Sequence, residues 1–398
     1  MPATIPMAEP ADLRAVAMSA KPAIGASSKG MSSQSAEPER ASRQTRNSGR
    51  KPRHIGTMAQ PQPAKNRQLH GGITMVEVGR GLLRRVGFWW LLGLCPAGVG
   101  AAGLTLALAD LPAFGPALIA ESKGYFAAEG LALEVLHCVN GRRCLQHLTD
   151  GQAQLATVAD TPIMLAAHAG KAFDIVATIG SSSRENTLVV RSDRGIRTAE
   201  DLKGRRIGYV KGTSGHYFTD TLLLFHGLDA SNVTMVPLDA STSGAKLVAG
   251  EVDAAGLYVP YGPQALAALG SRGAVLGGPK LYTVTFNLVC QPQVSDADLL
   301  KLLKALQRAV DFIAAQPSRA NALVAERLKL DPQQSTQLLQ IYDFRMNLSQ
   351  LLLTTLEAES RWAQRDGMVP AAALPDYLSR IRVGPLQALD RRAVSVIK

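Results

Sequence analysis

The chain has 398 residues, 46% of them hydrophobic and 19% charged, which is enough apolar material for sizeable cores and excludes a disordered or collagen-like protein. Its net charge is +11, but residues 1–74 hold 11 Lys/Arg against 4 Asp/Glu while residues 75–398 hold 32 against 28. The larger part is nearly balanced, so a basic nucleic-acid-reading face is not supported.

Residues 1–74 lack aromatic residues and are rich in Ala, Ser, Pro, Gln, Lys and Arg. They are read as a disordered basic tail or a mis-called start, because such a composition buries too little apolar area to offset its ordering entropy. Arg80, Arg84 and Arg85 then precede the apolar run from Val86 to Cys95 and a small-residue stretch ending at Gly103. Basic, apolar and small-residue regions in that order predict a signal peptide over 75–102, with Met75 as the working start. The run is short and Gly-rich for a membrane span. Gly98, Gly100 and Gly103 fit G-x-G-x-x-G but lie inside the signal and precede a strand, so the dinucleotide reading fails its context.

Strands and helices alternate from Leu104 onward. Strands are predicted over 104–109, 131–136, 155–159 and 174–179, separated by helices over 116–129 (stopped by Gly130), 142–149 and 160–170. The same order returns later: strand 206–210, helix 216–225, strand 233–237, helix 244–248 and strand 252–258. Two βαβαβ units predict two similar α/β lobes with largely parallel sheets. A strand over 283–290 and an amphipathic helix over 297–315 follow, with Leu300, Leu303, Leu306, Val310 and Ile313 as its expected apolar face. The chain is expected to leave the first lobe near 187–191 and return near 283–290. Lobe 1 is thus 103–190 with 286–398, and lobe 2 is 191–285. Two crossings make a hinge, and a hinge between lobes encloses a cleft. In open α/β sheets ligands sit beyond the carboxyl ends of strands.

Of the four cysteines, Cys138 and Cys144 lie six apart around Asn140-Gly141. In an oxidising compartment they would close a short disulfide loop; otherwise they are two reduced thiols on one turn. No zinc spacing, H-E-x-x-H, G-x-S-x-G or phosphate-binding P-loop occurs, and nothing assembles a nucleophile with a base. The expectation is therefore no catalytic residue, no cofactor and no metal.

Several segments resemble a known family. Glu121 through Gly124-Tyr125-Phe126 to Glu129-Gly130-Leu131 resembles the "GYF..EGL" stretch of ABC-transporter solute-binding proteins of the nitrate/sulfonate/taurine type. Asp201-Leu202-Lys203-Gly204 through Ile207-Gly208 resembles their "DLKGK.IG" segment, and Gly250 through Asp253-Ala254 to Pro260 resembles "G.VDA....P". The stretch from Leu356 through Trp362 to Leu378 is similar to their C-terminal helices. The resemblance spans residues 104–398. It implies the type II periplasmic binding protein fold, with two α/β lobes joined by a two-strand hinge around a ligand cleft. It implies capture of a small solute, delivery to an inner-membrane ABC permease, a periplasmic location and a monomer. A membrane-anchored sensor, for an uncleaved signal, is the alternative. Pyrimidine-precursor synthases share the fold, but their cysteine-rich iron motif is not matched here.

On that frame each candidate contact carries two readings. Gly212, Thr213, Ser214 and His216 open a helix after a strand, so their N–H groups suit an anion, or Thr213 or Ser214 is only a cap. Asp160 and Thr161 hold the equivalent place in the first lobe, where Asp160 caps the helix or meets the solute. Phe114 stacks on a planar ligand or forms wall. Arg184 clamps a carboxylate or sulfonate, or pairs with Glu185 in solvent. Tyr258 and Asn140 complete the set. The expected solute is a small organic sulfonate or carboxylate, with a thiamine-precursor pyrimidine as the alternative.

Overall fold

A computed structural model describes residues 103–229, 231–276, 280–331 and 335–396. The expected tail and signal peptide lie outside the described residues.

Among the described residues, ten strands form two five-stranded sheets. They are β1 (Leu104–Ala109), β2 (Leu133–Cys138), β3 (Leu155–Ala159), β4 (Asp174–Ser182), β5 (Asn186–Arg191), β6 (Arg206–Tyr209), β7 (Thr234–Pro237), β8 (Ala254–Tyr258), β9 (Gly273–Leu276) and β10 (Val284–Cys290). The helices are α1 (Gly115–Ser122), α2 (Tyr125–Ala128), α3 (Gly141–Thr149), α4 (Asp160–His168), α5 (Ser214–Phe225), α6 (Ser243–Ala249), α7 (Tyr261–Leu269), α8 (Asp296–Ala315), α9 (Pro317–Arg327), α10 (Gln350–Arg365) and α11 (Gly384–Leu389).

The first sheet runs β2-β1-β3-β10-β4 and the second β7-β6-β8-β5-β9. The repeated unit places its first strand between its second and third in both sheets, with all of these pairings parallel. The sheets are mixed rather than largely parallel, because β10 and β5 insert antiparallel beside β3 and β8. These are the strands that carry the chain across. β5 already belongs to the second sheet, so the chain crosses between Ser182 and Asn186, a few residues before the expected boundary at 190.

Burial follows strand periodicity. β10 (VTFNLVC) is buried along its whole length, as a strand covered on both faces requires. In β5, Leu188 and Val190 enter a core with Ile207 and Leu222, while Val189 points to the opposite core with Leu247 and Leu257. Helix α8 begins at Ser295, whose side chain accepts from Asp298 N, with Asp296 and Asp298 in its first turn. Its buried face is Leu299, Leu302, Leu303, Leu306, Ala309 and Phe312. Leu300, Val310 and Ile313 are only half-buried. The helix packs on both α1 and α11, and two neighbours shift and widen the apolar stripe.

Candidate functional site

The helix ends gather where the two sheets face each other. Phe114, Asn140, Thr213, Ser214 and Tyr258 line one cavity of about 30 Å³ with Leu111, Gly141, Arg142, Ala159, Pro162, Glu185 and Phe286. That volume holds about one water molecule. The N-termini of α3 and α4 reach it from the first sheet, and the N-terminus of α5 reaches it from the second. The first N–H groups of a helix have no intrahelical acceptor, and the helix dipole adds partial positive charge there.

Each wall has a local cause. Asn140 caps α3 by accepting from Arg143 N at 3.0 Å. Gly141 follows because a Cβ there would lie 2.8 Å from Val158 Cα, so only glycine lets α3 start against β3. Cys138 and Cys144 are joined as a disulfide across this turn, with Cα atoms 5.6 Å apart. Thr213 does not cap α5 with its side chain; its hydroxyl donates to Val210 O at 2.7 Å, which holds the loop. Ser214 Oγ donates to Asn186 Oδ1 at 3.4 Å. Phe114 is wall: it is buried, and it meets Phe286 edge-on at 5.6 Å.

Two groups give the cavity its polarity. Tyr258 is buried, and its hydroxyl makes no close hydrogen bond, with the Asn140 side chain the polar group that faces it. Glu185, only 2% exposed, accepts from the Tyr342 hydroxyl at 2.5 Å. Burial raises its carboxyl to about 8, against the lowering effect of that bond. It therefore stands neutral at pH 7.

The other sequence-predicted residues do not line the cavity. Asp160 is fully buried and turned towards β10, where Thr285 N donates at 2.8 Å and the Tyr282 hydroxyl also donates. Burial raises it to about 6, opposed by those bonds. Thr161 donates its hydroxyl to Glu359. Gly212 (φ +71°) aims its N–H at His216 Nδ1, 3.4 Å away, and away from the cavity. His216, two residues into a helix from Ser214, lies on another face and lines a separate cavity of about 430 Å³ with Tyr209 and Asp220. Arg184 is exposed and donates to Gln340 O, and among the described residues it pairs with no acid. Residues 183–185 form the bend between β4 and β5, which turns Arg184 out to solvent and Glu185 inward. No local periodicity in a bend marks Glu185 as the inward residue. Leu111, Pro162 and Phe286 carry no such mark in sequence either.

Among the described residues no group of three or more His, Cys, Asp or Glu side chains is placed to hold a metal ion. Nor is any helix there long and apolar enough to cross a membrane. The arrangement suits reversible capture: backbone donors, a neutral acid and a spare hydroxyl around an apolar floor.

Known proteins match this architecture. The chain is 26% identical over 265 residues to a Bacillus subtilis protein named for binding aliphatic sulfonates, covering 63% of this chain and 79% of that one. It is 22% identical over 221 residues to a 4-amino-5-hydroxymethyl-2-methylpyrimidine phosphate synthase of Saccharomyces cerevisiae, covering 52% and 64%. The solved alkanesulfonate-binding protein of Xanthomonas axonopodis pv. citri superposes with a TM-score of 0.62 at 19% identity, covering 71% of this chain and 98% of that one. The fold is that of the periplasmic binding proteins. The model of the family described as NMT1/THI5 like matches residues 111–320, more than half of the sequence, and the chain belongs to that family.

Proposed function

We propose that this chain is the solute-binding component of an ABC importer and captures a small organic sulfonate or carboxylate between two lobes built on the two sheets. The observation that carries this reading is the convergence of helix N-termini from both sheets on one cavity, beside a Tyr258 hydroxyl that makes no close hydrogen bond. Closing lobes around an anion would satisfy those donors, and its organic part would rest on Phe114, Leu111 and Phe286. The neutral Glu185 supports the same reading, because a carboxylic acid donates to an anion where a carboxylate would repel it. Export to the periplasm and hand-over to a permease follow from this role and accord with the sulfonate-binding relatives.

Thermal-shift screening of the protein against alkanesulfonates, taurine, nitrate, bicarbonate, aromatic carboxylates and aminopyrimidines tests it. A solute at ~100 times its dissociation constant adds roughly 2.7 kcal/mol of stability. Stabilisation by sulfonates or carboxylates alone upholds the proposal. A response confined to aminopyrimidines replaces it with pyrimidine capture, the reading that the synthase relatives favour. Silence across the panel from a folded protein overturns the solute assignment.

A further inference from the structure

Arg142 links the two sheet layers at the edge of the candidate site. It is the second residue of α3, whose start is fixed by the Asn140 cap, by the close approach of Gly141 to β3 and by the Cys138–Cys144 disulfide across the turn. The exposed Arg142 side chain leaves that layer, and its Nη1 donates at 3.2 Å to Lys211 O, in the loop between β6 and α5 of the second. Arg142 lines the small cavity, and it also lines a groove of about 510 Å³ with Val139, Lys211, Pro237, Asp239 and Lys246. The guanidinium therefore stands where the two spaces meet.

The two spaces differ in size and agree in charge. The inner cavity has room for about one water molecule and leaves none for the body of an organic solute. The groove has the volume of a site for a small organic molecule. Arg142 is the cation in the lining of the inner cavity, where the acid, Glu185, stands neutral. The groove sets Arg142, Lys211 and Lys246 against one carboxylate, Asp239. Among the described residues the Arg142 guanidinium makes one hydrogen bond, to a neutral carbonyl, and pairs with no acid. A guanidinium meets a carboxylate or sulfonate with two parallel N–H···O bonds, where a lone carbonyl takes one.

We propose that Arg142 is the specificity-determining residue of the site: its guanidinium gives up Lys211 O and takes the sulfonate or carboxylate of the solute in a bidentate pair, while the part of the solute that exceeds the inner cavity lies in the groove. The inference rests on the importer reading and narrows it. The substrate class is an organic anion with a body larger than the inner cavity, not a bare inorganic oxyanion. Lys211 and Lys246 add a positive field that draws an anion into the groove. Arg142 then fixes which end of the solute stands at the junction of the two spaces.

Calorimetric titration of the full chain, of R142Q and of R142K tests the assignment. The probes are butyl and octyl sulfonates and carboxylates, their uncharged amides, an aminopyrimidine and inorganic sulfate. The side chain is exposed, so both variants should keep the parent's Tm. The parent should bind the organic anions, and R142Q should bind them about tenfold more weakly or worse, the loss expected for a charged hydrogen-bond pair. The ratio of anion to amide affinity should fall by the same factor, because an amide keeps the body and lacks the charge. R142K keeps the charge without the planar fork and should fall between. An unchanged ratio in R142Q means that the variant disturbs packing alone, and it overturns the assignment. Equal anion affinity in R142Q and the parent also overturns it and leaves the importer reading standing. Tighter binding of sulfate than of every organic anion rejects the substrate class, since no body then needs the groove. A parent that binds the aminopyrimidine and no anion removes both this assignment and the sulfonate or carboxylate reading, and one that binds no probe at all removes the solute assignment entirely.

Discussion

Tyr342 and Glu185, 157 residues apart in the chain, meet behind the cavity that Glu185 lines, through a 2.5 Å hydrogen bond from the tyrosine hydroxyl to Oε2. Tyr342 lies in the segment after α9, and Glu185 lies at the crossing into the second sheet. The bond therefore ties the crossing to the C-terminal part of the chain. Burial holds Glu185 at about 8, well above its unfolded value of 4.5. A raised acid contributes stability that is full below its unfolded value and is lost as pH rises through its folded value. Thermal denaturation between pH 5 and 9 should therefore show a shallower alkaline loss of Tm in E185Q than in the unsubstituted protein. Asp160 and Asp220 supply a common background slope in both. Equal slopes would mean that Glu185 does not hold its proton through neutral pH.

Y342F probes the same contact from the other side. It removes the donor and leaves a buried carboxyl oxygen without a partner, at a cost of about 1–3 kcal/mol. Adding E185Q to Y342F should not repeat that loss, because the two residues act as one unit. Denaturant melts of the single and double variants measure the coupling.

Gly141→Ala should destabilise the protein and blunt binding together. The added Cβ would fall 2.8 Å from Val158 Cα, a backbone atom that has no rotamer to yield. Overpacking of this kind costs about 1–3 kcal/mol. The helix start must move off β3, and its N–H groups move with it. Urea unfolding gives the first effect and calorimetric titration with a responding solute gives the second; a stable variant with normal affinity would remove the tight approach from the account of the site.

The C138S/C144S variant should unfold with about 2 kcal/mol less stability under non-reducing conditions, the chain-entropy value for so short a loop. The bridge spans six positions around the Asn140 cap. Reductant should bring the parent protein to the variant's stability and leave the variant unchanged. Failure of reductant to act on the parent would place the two sulfurs in separate thiols.

Local signals account for what was legible in the sequence. Glycines with positive φ at 130, 170, 227 and 250 lie just past helix ends, and Gly130 was read as such a stop. Both βαβαβ units are visible because each strand run and each helix stop is contiguous. The antiparallel insertion of β5 and β10 was not legible, since strand direction in a sheet depends on where the chain comes from, not on its own residues. Side-chain destinations failed for the same reason. Asp160 is satisfied by Thr285, 125 positions away, and Thr161 by Glu359, 198 positions away. No window of sequence around 160 contains those partners, so the acid read there as a cleft group. At 184 and 216 the miss was smaller, one residue within the bend between β4 and β5 and part of a helical turn.

Tyr258→Phe separates a binding role from a structural one by opposite signs. The hydroxyl is buried without a close hydrogen bond, and a polar group in that state costs stability in the free protein. Its removal should leave the unliganded Tm equal or higher. If the hydroxyl donates to a bound anion, the same change should weaken affinity by about tenfold or more, since hydrogen bonds to charged groups are worth about 1.5–3 kcal/mol. The ring itself, which meets Tyr261 at 5.3 Å, is kept in the variant, so packing is not disturbed. Melting curves without solute and calorimetric titrations with it read the two effects on one preparation. A loss of unliganded stability with unchanged affinity would assign Tyr258 to the fold; a gain or no change, with weakened binding, would assign it to the solute.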